Sequence, residues 1–225
     1  MGRSRYKVLD ELYPYFITSS IVGKLPLLLD AELRSIIIEG FRFLIEKRNL
    51  KMYAYVIMPD HIHCLMEGKD LAKHISSFKS FTARRIIDYL KNQKSNTELL
   101  ALRNAKLAHK KDREYQVWTE GFHPKQIISD KMMEQKISYI HYNPVRAGLA
   151  TKELDWENSS AGFYSGKSSK LSLTLFGDWG APTQSIGANE PANPLLGQAS
   201  AWAIKIKRPF LIFSFNTVRF IFTLN

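Results

Sequence analysis

Apolar and polar positions along the first two thirds of this chain switch between strand-like and helix-like spacing. Residues 13–20, Tyr-Pro-Tyr-Phe-Ile-Thr-Ser-Ser, put aromatic and β-branched side chains ahead of a small-residue exit and predict a first strand. A loop through Gly23 and Pro26 follows. Asp30 then stands as an N-cap, and Leu33, Ile36, Ile37, Phe41, Leu44 and Ile45 recur at helical spacing. That helix is expected to end near Lys47-Arg48-Asn49, where cations suit its C-terminal dipole. Residues 51–58 and 61–66 read as two strands, antiparallel because Pro59-Asp60 is too short a link for a crossover.

A second helix is predicted from Leu71 to about Asn92. Leu71, Ile75, Phe78, Ile86 and Leu90 form its apolar face, and Lys73, Lys79, Arg84, Arg85 and Lys91 its polar one. Residues 94–115 are polar and basic with weak periodicity, so a loop and an ill-determined helix both fit. Residues 117–122 form an aromatic turn around Gly121, and a short strand is expected near 126–128. Ser129 or Asp130 then caps a third helix through Met132, Met133, Ile137 and Ile140. The order strand, helix, strand, strand, helix, strand, helix is α+β. It resembles a ferredoxin-like, split βαβ antiparallel sheet with helices packed on one face.

After about residue 183 the character changes. Residues 184–203 are rich in Gly, Ala, Pro, Asn and Ser, as in a linker, and the remainder is apolar but interrupted by Asn216 and Arg219. The chain is therefore divided into a domain over 1–182 and a linker with an apolar tail over 183–225. The tail reads equally as an extra strand, an interaction segment or appended sequence.

Composition adds a polyanionic partner. Of 225 residues, 45% are hydrophobic and 12% aromatic, enough for a core, and the net charge is +11. A pI near 9.6 favours nucleic acid first and an acidic membrane surface second. Between Lys73 and Lys131 stand 13 Lys and Arg against six acids, so the excess concentrates mid-chain, where a phosphate backbone would be held. The single cysteine, Cys64, excludes an internal disulfide framework and any multi-cysteine zinc site. With no apolar leader and no uninterrupted span of about 20 apolar residues, a cytoplasmic protein without membrane spans is expected.

Two dense stretches carry candidate chemistry. In a strand, His61 and His63 project from one face and Ile62 and Cys64 from the other. Two parallel imidazoles make half of a metal site, or simply a pair of structural histidines. On a helix, Tyr139 and Asn143 are i and i+4 and share a face, whereas His141 and Tyr142 project elsewhere unless the helix unwinds before Pro144. If helix and strand meet, two imidazoles and an amide oxygen could bind a divalent cation and leave positions for phosphate oxygens. A phenol, with an ordinary pKa near 10, needs such help to attack phosphorus. Taken in isolation, Tyr139 and Tyr142 read better as ordinary amphipathic-helix residues.

Met58-Pro-Asp-His-Ile-His-Cys-Leu-Met66 followed by Tyr139-Ile-His-Tyr-Asn-Pro-Val-Arg-Ala-Gly-Leu149 resembles the IS200-like, single-tyrosine HUH transposases, and among them the REP-associated tyrosine transposases. Tyr15-Phe-Ile-Thr18, Trp118-Thr-Glu-Gly-Phe122 and Ile127-Ile-Ser-Asp130 fit the same pattern, which covers roughly residues 10–165. The resemblance implies the HUH nuclease fold, a ferredoxin-like or RRM-like sheet. It also implies nicking and rejoining of single-stranded or hairpin DNA through a covalent 5′-phosphotyrosine. Tyr139 matches the nucleophile, with Tyr142 as runner-up. His61, His63 and Asn143 match the metal ligands, for Mg²⁺ or Mn²⁺. Lys79, Arg84, Arg85, Lys125 and Arg146 are the expected DNA contacts, in a monomer or homodimer. Two other readings keep part of the pattern: a non-catalytic nucleic-acid-binding module, and a metal hydrolase acting through water.

Overall fold

The computed structural model describes residues 11–178, all within one compact unit; the expected linker and tail over 183–225 lie outside the described residues. Four strands, β1 (Tyr15–Ser20), β2 (Lys51–Ile57), β3 (His61–Glu67) and β4 (Lys125–Gln126), form one sheet in the order β2-β3-β1-β4. Every pairing is antiparallel. Helices α1 (Ala31–Arg48) and α2 (Leu71–Asn92) are the two crossovers, which gives the ferredoxin-like α+β arrangement. The register sets His63 opposite Thr18 and His61 opposite Ser20.

Local chemistry fixes the helix ends. The Asp30 carboxylate accepts from the N–H groups of Glu32 and Leu33, and Asn49 closes α1 in a left-handed conformation with its N–H on the Leu44 carbonyl. The buried face of α2 contains all five apolar residues expected of it, joined by Thr82. Together α1 and α2 cover the sheet face formed by Tyr15, Ile17, Tyr55, Ile57, Ile62, Cys64 and Met66. Where they cross, Phe41 stacks on Phe78 with ring centres 5.0 Å apart, and Gly40 lies against that ring.

A Cβ on Gly40 would meet the Phe78 ring at 2.6 Å. Gly40→Ala is therefore expected to destabilise the fold. The helix-propensity gain of about 1 kcal/mol is outweighed by overpacking of about 1–3 kcal/mol, because Phe78 is pinned by Phe41. Thermal unfolding should show a midpoint several degrees lower; an unchanged or higher midpoint would mean that the ring moves freely.

One expectation is refined here. The layer on one face holds for α1 and α2, but α4 (Asp130–Arg146) packs on the opposite face. There Met133, Ile137 and Ile140 meet Phe16, Tyr53, Ala54, Val56, Met58 and Leu65. The physical reason lies in β2, whose residues Met52 to Ile57 are all buried and form a continuous apolar run rather than an alternating one. A register shift between Met52 and Ala54 brings Tyr53 and Ala54 together onto the α4 side. The outer edge of β2 is covered as well: Ile57 N–H donates to the Asn158 carbonyl at 2.8 Å, and Ser160 N–H to that of Tyr55 at 2.9 Å.

Residues 94–115 are not simply a loop. Helix α3 (Asn96–Asn104) buries Leu99 and Leu102, followed by turns. Pro144 does not end α4, which runs on to Arg146. Among the described residues, no helix is long and apolar enough to cross a membrane.

Candidate active site

Strand alternation turns His61, His63 and Leu65 toward the face that α4 covers, as Phe16 and Thr18 turn on β1. His63 is buried and His61 lies at the rim. Their ring centres are 4.8 Å apart at an interplanar angle of 76°. Tyr139 meets His63 edge to face at 5.4 Å, and Phe16 completes the cluster, stacked on His63 at 5.2 Å and edge-on to Tyr139 at 5.7 Å. Strand and helix, 76 positions apart between His63 and Tyr139, are thus in direct contact.

Each histidine has its Nδ1 engaged. Asp60 Oδ1 lies 2.5 Å from Nδ1 of His61, and Thr18 Oγ1 lies 2.8 Å from Nδ1 of His63. Lys24 Nζ bridges to Asp60 at 3.5 Å. Burial, aided by the nearby charges of His61, Lys24 and Lys136, pushes the His63 imidazole down to about 3, so the ring is neutral at physiological pH. Burial alone would raise Asp60, but the His61 hydrogen bond and the charges of His61 and Lys24 outweigh it and hold the carboxyl below its ordinary value.

The tyrosine has cations on its ring. Lys136 Nζ lies 4.6 Å from the centre of Phe16 and 5.4 Å from that of Tyr139, and Arg146 Cζ lies 5.7 Å from Tyr139. Burial, with Lys125 nearby, lowers Lys136 from its ordinary value. Asn143 follows one turn after Tyr139 on α4. Tyr142 is 49% exposed, so the two candidate tyrosines stand in different surroundings. His141 turns away and sets Nε2 2.8 Å from Ser160 Oγ, which fastens the edge segment of β2.

The donor set fits a divalent cation: two imidazoles, one held neutral, with an amide one helical turn beyond the phenol. Among the described residues, no group of three His, Cys, Asp or Glu gathers to form a site from those residues alone.

The expected DNA-contacting cations divide. Lys125 on β4 and Arg146 on α4 are exposed on the histidine side. Arg84 and Arg85 are exposed on α2, in the helix layer across the sheet, and Arg85 pairs with Glu39 at 3.5 Å. Lys79 is committed to the fold: its ammonium donates to the carbonyls of Thr119 and Gly121, and burial brings it down to about 8 despite Glu120. Charge density along the chain did not separate these three from the site. Lys136 and Lys24 are not singled out by the sequence, and Thr18 and Asp60 stand in the matching motifs without an assigned contact. Lys136 had a signal, since it stands three residues before Tyr139 on one helical face.

Acid should unfold the protein through its buried imidazoles. Burial also holds His141 down, to about 4. Unfolded imidazoles take up a proton near 6.5 while the native rings stay neutral, so stability is full above about pH 6.5 and falls with pH toward the native values. The slope is up to about 1.4 kcal/mol per pH unit for each histidine. Urea titrations across this window should show it. His141→Asn should flatten the slope, and an unchanged slope would contradict burial of a neutral His141.

A histidine pair on an inner strand of a ferredoxin-like sheet is thus faced by a helix-borne tyrosine. The family model for IS200-like transposases matches residues 26–143, and the chain belongs to that family. A REP-associated tyrosine transposase of Haemophilus influenzae is 35% identical over 107 residues, which are 48% of this chain and 56% of that protein. The match therefore spans little more than half of that relative. A solved REP-associated tyrosine transposase bound to a REP hairpin shares the fold, with a TM-score of 0.51 at 20% identity, covering 83% of this chain and all of the other.

Proposed function

We propose that this chain is a metal-dependent enzyme that nicks and rejoins single-stranded DNA at hairpin or palindromic elements, with Tyr139 as nucleophile. The observation that carries the proposal is the edge-to-face contact of Tyr139 with His63, 4.8 Å from the His61 ring. The hairpin-bound structural neighbour supports a hairpin as the substrate class.

His61, His63 and Asn143 would hold Mg²⁺ or Mn²⁺, which when bound polarises the phosphodiester and offsets charge developing on its oxygens. The Tyr139 oxygen attacks phosphorus in line. A Tyr139–phosphorus bond forms and the bond to the 3′ oxygen breaks; the phenol gives up one proton and the departing oxygen takes one up as a free 3′-OH. Reversal by another 3′-OH rejoins the strand and restores the phenol. The Phe16 and His63 rings fix the direction of the phenol, while Lys136 and Arg146 bring positive charge to the ring it presents. Lys125 and Arg146 would hold the phosphate backbone on this side of the sheet. The cytoplasm, where such DNA is found, is the proposed compartment.

The test is a cleavage assay on an end-labelled single-stranded hairpin with Mn²⁺. The expected products are one fragment with an extendable 3′-OH and one whose 5′ end is blocked by protein. Binding without cleavage would favour a non-catalytic module. Cleavage leaving an unblocked 5′ phosphate would favour activated water as the nucleophile.

A further inference from the structure

We propose that Asp60 and Thr18 are positioning residues that hold the two histidines in the same tautomer, each with its proton on Nδ1, so that both rings turn an Nε2 lone pair toward one cation. This rests on the metal-binding part of the proposed function, but its geometry stands without it.

The two contacts differ in what they impose. An ionised carboxylate only accepts hydrogen bonds, so Asp60 Oδ1 at 2.5 Å requires the proton on His61 Nδ1. Asp60 is itself held by the Lys24 ammonium at 3.5 Å, which ties the turn before β3 to the segment just after β1. A hydroxyl can donate or accept, so Thr18 Oγ1, 2.8 Å from His63 Nδ1, permits the same tautomer without forcing it. The direction follows from what lies on the far side of the ring. Thr18 engages Nδ1, so Nε2 is the nitrogen left to ligate a cation, and a ligating imidazole nitrogen carries no proton. Phe16 and Tyr139 bracket the ring and keep it from turning over.

The arrangement is economical in sequence. Thr18 and His63 are register partners on adjacent strands, and Asp60 directly precedes His61. A carboxylate or hydroxyl behind a ligating imidazole fixes the ring and raises its basicity, and losing such a partner typically costs about 10- to 100-fold in metal affinity.

The experiment has two readouts on the full chain. Nitrogen-15 correlation spectra of the metal-free protein, in mildly alkaline buffer where imidazoles are neutral, report the tautomer of each ring. Calorimetric titration with Mn²⁺ reports affinity. Both wild-type rings should carry the proton on Nδ1. Asp60→Ala and Thr18→Val should each mix or invert the tautomer of their own histidine only, and weaken Mn²⁺ binding by about 10- to 100-fold. Asp60→Asn and Thr18→Ser retain an acceptor and should restore the tautomer. A wild-type His63 protonated on Nε2, or tautomers and affinity unchanged in Asp60→Ala and Thr18→Val, would overturn the proposal. Correct tautomers in a wild-type protein that binds no Mn²⁺ would leave the positioning intact and contradict the metal-dependent function instead.

Discussion

Tyr139→Phe is expected to abolish covalent attachment to single-stranded hairpin DNA and leave the fold in place. Loss of a nucleophile that forms the intermediate removes the whole covalent route, an effect on the order of 10⁴-fold or more in rate. The phenyl ring survives the substitution, so the edge-on contacts with Phe16 and His63 and the cations of Lys136 and Arg146 over the ring survive with it. Stability should change by less than about 0.5 kcal/mol, because the half-buried ring loses only its hydroxyl. Circular dichroism and urea unfolding check the fold, and a denaturing gel with labelled DNA checks the chemistry. Adduct persisting in the variant would transfer the role to Tyr142.

The histidines give the second large effect, and they are not equivalent as targets. His61 lies at the rim, whereas His63 is buried between Phe16 and Tyr139, so His63→Ala would also open a cavity beside Tyr139. His61→Ala is therefore the cleaner test. Nicking should fall by about 10²- to 10³-fold or more, the scale of losing electrostatic stabilisation of a transition state. The residual rate should equal that of the wild type in excess chelator. The double variant His61→Ala/His63→Ala should go no lower, since both remove one metal site. Binding to uncleaved hairpin should drop only a few-fold and keep its salt dependence, because Lys125 and Arg146 are untouched. Nicking that is equal with and without chelator in the wild type would contradict the metal reading.

Much of the fold was legible because local signals and tertiary packing agreed. Asp30 caps α1 and Leu71 opens α2, with apolar spacing that leaves one face for the sheet. The alternation that pairs His61 with His63, and the helical turn that stacks Tyr139 with Asn143, are properties of backbone geometry and read directly from spacing. Helix α3 was ambiguous because only Leu99 and Leu102 mark its buried face and no side chain caps its start. The position of α4 was hidden for another reason. The uninterrupted apolar run of β2 signals a strand buried on both faces, and that signal had to be weighed against the one-sided layer of a plain ferredoxin-like sheet.

The basic surface was read least well. Counting cations along the chain gave Arg84 and Arg85 the same weight as Lys125, although α2 stands across the sheet from the histidines. Lys79 spends its ammonium on loop carbonyls, a tertiary contact across 40 residues that composition does not encode. Thr18 became visible only through strand register, 45 positions from His63. Asp60 sits beside His61 in sequence, but its contact with Nδ1 of that ring emerges only from the ring's orientation.

The most direct measurement is mass spectrometry of the protein after incubation with Mn²⁺ and a single-stranded hairpin, followed by proteolysis and nuclease trimming. The account predicts a phosphonucleotide on the peptide containing Tyr139, with fragment ions placing it on that residue and none formed in chelator. A phosphonucleotide on Tyr142, or cleaved DNA with no modified tyrosine, would contradict it.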